Sequence, residues 1–209
     1  MTLLTCPELL NIKSFNFYLG WVICYSRSDS GQVILKIMLR LSGSLLDKSV
    51  LSLRTGGPVA TILSPIINPD NLKVEGFYCQ APGEKQELIL LYQDIRDLLP
   101  QGFVVNDFDV LAQPEELVRL KKILDQNYDL LGKQVITHDK QKLGKVNDYA
   151  IETESMYVQK LYVSRSILKS LTGGSLSIDR SQVVEATPKQ IIVNDLMETA
   201  PVTAPAAAG

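Results

Sequence analysis

The stretch Pro100-Gln101-Gly102-Phe103-Val104-Val105-Asn106-Asp107 returns 88 positions later as Pro188-Lys189-Gln190-Ile191-Ile192-Val193-Asn194-Asp195. An internal repeat constrains architecture more than any single residue does, because two similar sequences fold into two similar units. Extending the comparison outward gives both copies a beginning. Ser44-Leu45-Leu46-Asp47-Lys48-Ser49-Val50 lies over Asp129-Leu130-Leu131-Gly132-Lys133-Gln134-Val135, and Leu72-Lys73-Val74 lies over Met156-Tyr157-Val158. The small changes of offset between these matches are loop-length differences.

Each copy has about 70 residues, which limits the core it can bury and favours a small closed β structure. In the second copy, β-branched and apolar runs predict strands over residues 133–137, 143–151, 157–163, 176–178 and 190–193. Polar and glycine-containing turns separate them: His138-Asp139-Lys140-Gln141-Lys142, Glu152-Thr153-Glu154-Ser155, Gly173-Gly174 and Thr187-Pro188. The first copy places Thr55-Gly56-Gly57-Pro58, Asn68-Pro69-Asp70-Asn71 and Pro82-Gly83 in the same roles. Short strands at near-regular spacing predict an all-β chain of two small antiparallel barrels.

Five segments follow. Residues 38–112 form barrel 1 and residues 129–195 form barrel 2. Between them, residues 113–128 predict a linker helix: Pro114 stands in the first turn, Glu115 and Glu116 follow, and Leu117, Leu120 and Leu124 share one face. The tail, residues 196–209, lacks bulky apolar side chains over most of its length and reads as disordered.

Residues 1–37 have no counterpart ahead of the second copy, yet hold Trp21, Cys6 and Cys24. They read as upstream sequence translated in error, with Met38 as the true start. The rival reading is a membrane-contacting or signal segment. The apolar run Phe15–Tyr25 is short of the roughly 20 residues that span a bilayer, and no small-x-small cleavage site follows it. Any membrane association would therefore come through residues 1–37.

At this point the residues resemble a known family. Leu130-Leu131-Gly132-Lys133-Gln134-Val135, a polar turn, then Leu143-Gly144-Lys145-Val146-Asn147-Asp148 is similar to the opening of a PRC-barrel domain. The first copy departs from the pattern, with Asp47 in place of Gly132 and Ala60 in place of Gly144. The resemblance covers residues 44–112 and 129–195. The family includes the barrel of the photosynthetic reaction centre H subunit and the C-terminal barrel of the bacterial ribosome maturation factor. It implies a non-enzymatic adaptor with a protein partner; the alternative it suggests is a ribosome- or RNA-associated maturation or assembly factor.

The search for chemistry returns little. The formal net charge is -2, with residues 38–112 at -3 and residues 129–195 at +1, so no segment has the basic excess of a general DNA or RNA binder. Three cysteines at unrelated spacings predict neither a disulfide framework nor a metal site, which fits a reducing cytoplasm. His138, the single histidine, reads as a solvated turn residue, and Cys79 as a small half-buried one. Gly56-Gly57 and Gly173-Gly174 read as tight turns, because no Lys-Ser/Thr follows. Asp94 and Asp97 around Arg96 read as a solvated strand end. No catalytic residue, metal ligand or cofactor site emerges. The one candidate partner-binding cluster is Lys140, Lys142 and Lys145 in the second copy.

Overall fold

The structure, a computed structural model, describes residues 12–18, 21–27, 33–164 and 175–194, with the backbone alone for residues 12–37 and 175. The chain is mostly β. Its strands are β1 Ile12–Tyr18, β2 Trp21–Arg27, β3 Val33–Leu41, β4 Ser49–Ser52, β5 Pro58–Asn68, β6 Lys73–Gln80, β7 Leu88–Leu91, β8 Ile95–Leu99, β9 Gly102–Val105 and β10 Leu111–Ala112. After the short helix α1, Lys121–Gln126, come β11 Gln134–Thr137, β12 Lys142–Glu152, β13 Val158–Ser164, β14 Ser175–Asp179, β15 Val183–Ala186 and β16 Gln190–Val193. The turn at 173–174, Asp195 and the tail lie outside the described residues.

Two sheets result. One runs β10-β7-β6-β5-β4-β9-β8; the other runs β1-β2-β3-β12-β11-β16-β15, with β13 and β14 continuing from the far edge of β12. The order β7-β6-β5-β4-β9-β8 therefore recurs as β14-β13-β12-β11-β16-β15. Ladders are mostly antiparallel, as alternating strands and tight turns predict. The exceptions correct the expectation of purely antiparallel barrels: β4 pairs with β9, and β11 with β16, in parallel. In both copies the repeated Gly/Gln-Phe/Ile-Val/Ile-Val segment returns in parallel to the copy's first strand. The strand β15, which the sequence pattern leaves unassigned, pairs with β16. Its burial is weak along its length, so its apolar pattern is weak too.

The hydrogen-bonded path of each copy is open, without a ladder between its ends among the described strands. Each sheet is nevertheless curled. Only Tyr92–Asp94, one 3₁₀ turn, joins β7 to β8. A flat sheet would hold those strands about 24 Å apart, whereas this link spans at most about 15 Å. Arg180–Gln182 makes the same link from β14 to β15.

Curling encloses a core in which equivalent positions are filled alike. Val50 and Val135, Phe77 and Leu161, Cys79 and Val163, Leu90 and Ile178, Phe103 and Ile191, and Val105 and Val193 are all fully buried. Phe77 and Phe103 meet in a tilted contact with ring centroids 4.8 Å apart.

The linker differs from the single helix predicted over residues 113–128. Pro114–Glu116 forms a 3₁₀ turn, and the α-helix is confined to Lys121–Gln126. Gln113 and Glu116 close a capping box on one turn, and Leu117 then leaves helical geometry at φ -92°, ψ 62°. Leu117, Leu120 and Leu124 are half-buried, while Val118 is 78% exposed.

At the other end, β3 runs through Met38, and its last residues Leu39–Leu41 pair with Ala150–Glu152 of β12. The start proposed at Met38 thus falls within a strand that the second copy binds.

Gly144 sits at φ +153°, where a Cβ would stand 2.1 Å from the Ser164 carbonyl oxygen. Gly144→Ala should lower stability by about 1–3 kcal/mol in urea unfolding. Gly57→Ala, with open space around it, should change it by well under half of that; equal effects would refute the steric account.

Candidate binding surfaces

Three places could carry recognition: the β4–β5 and β11–β12 tips, the junction between the copies, and a cavity beside it. The tips are built alike. Ser52 N–H donates to Gly57 O, and Gly56 N–H to Ser52 O; Thr137 N–H donates to Gln141 O, and Lys140 N–H to Thr137 O. Leu53 N–H reaches Val105 O, as His138 N–H reaches Val193 O. On this common backbone the side chains differ. Tip 1 exposes Leu53 (63%), beside the partly exposed Phe108, and its Arg54 pairs with the buried Asp107. Ser52 Oγ also donates to Asp107, at 3.1 Å. Tip 2 exposes His138, Asp139 and Lys140. His138 and Asp139 are 4.0 Å apart and nearly four-fifths exposed, as expected of a solvated turn.

Lys142 and Lys145 stand three residues apart, which on a regular strand puts them on opposite faces. A bulge changes this. Gln134 opposes Lys145, Val135 opposes Gly144, and Ile136 opposes Lys142, so Leu143 is the extra residue. Gln134 and Ile136 share a face, and so therefore do their partners Lys145 and Lys142. The face is the outer one, because Val135 is buried and both lysines are exposed. Lys140 is exposed in the adjoining turn at φ +63°, so the exposed lysines run as a basic stripe along residues 140–145.

The junction is reciprocal. Val74 N–H donates to Met156 O at 2.7 Å, Val158 N–H donates to Leu72 O at 2.9 Å, and Lys73 opposes Tyr157. Lys73 meets its own repeat equivalent, and the two hydrogen bonds exchange under the repeat, as across a two-fold axis. Leu72 and Met156 both adopt left-handed backbone, φ 57° and 58°, while burying their side chains.

Cations and rings alternate across this seam. Lys73 Nζ lies 3.9 Å from the Tyr92 ring centroid and 5.7 Å from that of Tyr157, and the Arg180 guanidinium lies 4.0 Å from Tyr157. The Lys73 ammonium donates to Tyr92 Oη at 2.7 Å, which raises the Lys73 pKa and lowers that of Tyr92. Sequence reasoning does not single out these four. The available signal is an exchange between copies: Lys73 aligns with Tyr157, and Tyr92 with Arg180.

Elsewhere, the polar groups singled out in the sequence make local contacts. Arg96 Nε donates to Asn106 Oδ1, and Asp97 accepts from the Leu98 N–H. Gly56 and Gly57 form an open turn. Among the described residues no three His, Cys, Asp or Glu side chains gather as a metal-holding group, and no helix is long and apolar enough to cross a membrane. Cys79 is fully buried rather than half-buried. Burial pushes its thiol up to about 12, against the smaller opposing effect of a backbone contact at Leu90. The chain matches no protein-family model and no curated protein.

Cys79 gives a pH-dependent outcome. The unfolded thiol ionises near 9 and the folded one near 12, so above pH 9 the unfolded state loses its proton first. The Cys79 contribution to stability is complete below pH 9 and falls as pH rises toward 12. In the native chain at pH 8, iodoacetamide should leave Cys79 unmodified by peptide mass mapping, and urea should expose it; rapid native labelling would contradict this burial.

Proposed function

We propose that the chain is a non-enzymatic adaptor module made of two PRC-type barrels in tandem. Support for the barrel reading comes from the curl that the three-residue links impose on each sheet and from the parallel return of β9 and β16 to the first strand of each copy. The reciprocal seam suits a rigid body that holds two tips in fixed relation.

The observation that carries the adaptor reading is the divergence of those tips. The same backbone hydrogen bonds frame an apolar surface at Leu53 and a basic one at Lys140, Lys142 and Lys145. Core positions, by contrast, are filled alike. A scaffold kept constant while its exposed ends differ suits the binding of dissimilar partners. An acidic protein surface is the class that fits the basic stripe.

A second reading rests on the same stripe: contact with RNA, in ribosome-associated maturation or assembly. Three exposed lysines within six residues can neutralise about three phosphates, and salt would then weaken the association with a slope of about -2 to -3 in log–log form.

Cross-linking of the full chain in its native cell, with partners identified by mass, tests both. K140E/K142E/K145E should reduce recovery of a principal partner about tenfold, while Leu53→Glu should spare it. An unchanged partner set in the triple variant would reject the role of the stripe. Ribosomal particles as that partner, lost steeply between 50 and 200 mM salt, would favour the RNA reading.

A further inference from the structure

Strand β15 ends its sheet, bonded to β16 on one side and to no described strand on the other. In the first copy β8 holds the same place. Over the 88-residue repeat, Ile95-Arg96-Asp97-Leu98 becomes Val183-Val184-Glu185-Ala186. An open edge presents unpaired N–H and C=O groups, and charged side chains commonly guard it. The two copies differ in that guard.

Both strands carry a bulge at the same point, with Arg96 and Val184 as the extra residues. In β8 the extra residue is an exposed arginine, and the next residue, Asp97, accepts from the Leu98 N–H at 2.8 Å. A side chain there already occupies a main-chain donor. In β15 the extra residue is a valine, 54% exposed, and Glu185 makes no corresponding bond to the Ala186 N–H.

The hairpin fixes where the Ala186 groups point. Thr187 N–H donates to Gln190 O at 2.9 Å, so these two residues face each other as a hydrogen-bonded pair. Bonded and non-bonded pairs alternate along an antiparallel ladder. The next pair, Ala186 with Ile191, is therefore non-bonded, and the N–H and C=O of Ala186 point away from β16. A groove of about 350 Å³ adjoins the strand. Glu185 and Ala186 both line it, although neighbouring side chains leave a strand on opposite faces, so the groove runs along the edge. Pro69, Asp70 and Asn71 of the first copy supply another wall, and Arg180 joins from the turn before β15.

Charge gives the groove a direction. Arg180 precedes the strand and makes no ion pair among the described residues, whereas Glu185 is exposed near its far end. An incoming strand antiparallel to β15 passes Glu185 first and Arg180 last, and antiparallel pairing is the slightly more stable kind. A second copy of β15 fits less well, because a bulge twists a rigid edge away from its like. A short peptide adapts its twist to the bulge.

We propose that the β15 edge binds an extended peptide segment of a partner protein as an added antiparallel strand, with a basic residue toward its N-terminal end and a carboxylate toward its C-terminal end. Ala186 anchors the main chain, and Glu185 and Arg180 set the direction. The tips take no part, so this site and the adaptor reading fail separately.

The capped hexapeptide Lys-Val-Thr-Val-Thr-Glu is the probe, and the reversed order Glu-Thr-Val-Thr-Val-Lys is its control. Titrated into the full chain and followed by amide NMR, the probe should shift residues 183–186 saturably and slow exchange of the Ala186 N–H. The control should bind about threefold to fivefold more weakly. Ala186→Pro removes the donor where an edge strand tolerates proline, and should weaken the probe about tenfold. Arg180→Gln should erase the preference for probe over control, and K140E/K142E/K145E should change neither peptide. Thermal midpoints within a few degrees of the parent chain establish that the variants are folded. Equal binding of the two peptides, binding of neither, or full binding by Ala186→Pro would each overturn the proposal. So would an Ala186 N–H already slow to exchange without peptide, or a dimer that Ala186→Pro dissolves, since either means that another occupant holds the edge.

Discussion

The structure depends on a parallel ladder made twice. In each copy the last repeated strand returns beside the first, β9 to β4 and β16 to β11. This pairing joins residues more than fifty positions apart, and everything else accommodates it. It turns a simple antiparallel meander into a curled sheet and brings Phe103 against Phe77 in the core. It also forces β7 and β8 together through a single 3₁₀ turn. The close approach is visible at Gly102, where a Cβ would lie 2.0 Å from the Ser49 carbonyl oxygen. Such long-range closure costs loop entropy that local contacts do not repay. The fully buried Val50, Phe103, Val105, Val135, Ile191 and Val193 supply the offset.

The two copies have kept their interiors and changed their surfaces. Core substitutions between copies are apolar for apolar, with Phe77 against Leu161 and Cys79 against Val163. At the seam the exchange is subtler: a cation and a tyrosine trade places, and the alternation of charge and ring survives. At the tips no such compensation exists, and one end is apolar where the other is basic. The symmetry is also broken along the long second strands. β3 pairs with the Ala150–Glu152 edge of β12, whereas α1 packs near the matching end of β5.

Much of the strand plan was legible before any coordinates. β-branched and apolar runs between polar and glycine-containing turns marked β11, β12, β13 and β16 to within a residue or so, because buried β-branched residues and tight turns are local signals. β15 was not legible, since a weakly buried edge strand has no strong apolar alternation. The linker misled for a related reason. Pro114, the two glutamates and spaced leucines are helix signals, but the capping box at Gln113 and Glu116 closes a single turn, and the chain bends at Leu117.

The sequence by itself determined an all-β chain built from a repeat, the positions of most strands of the second copy, and three lysines worth attention, because composition and short-range pattern carry those. Tertiary structure alone decided the parallel return strands, the reciprocal seam, and the common face of Lys142 and Lys145. Each of these depends on register between segments distant along the chain. A bulge of one residue at Leu143 reverses which way a lysine points, and nothing local in Lys142-Leu143-Gly144-Lys145 announces it.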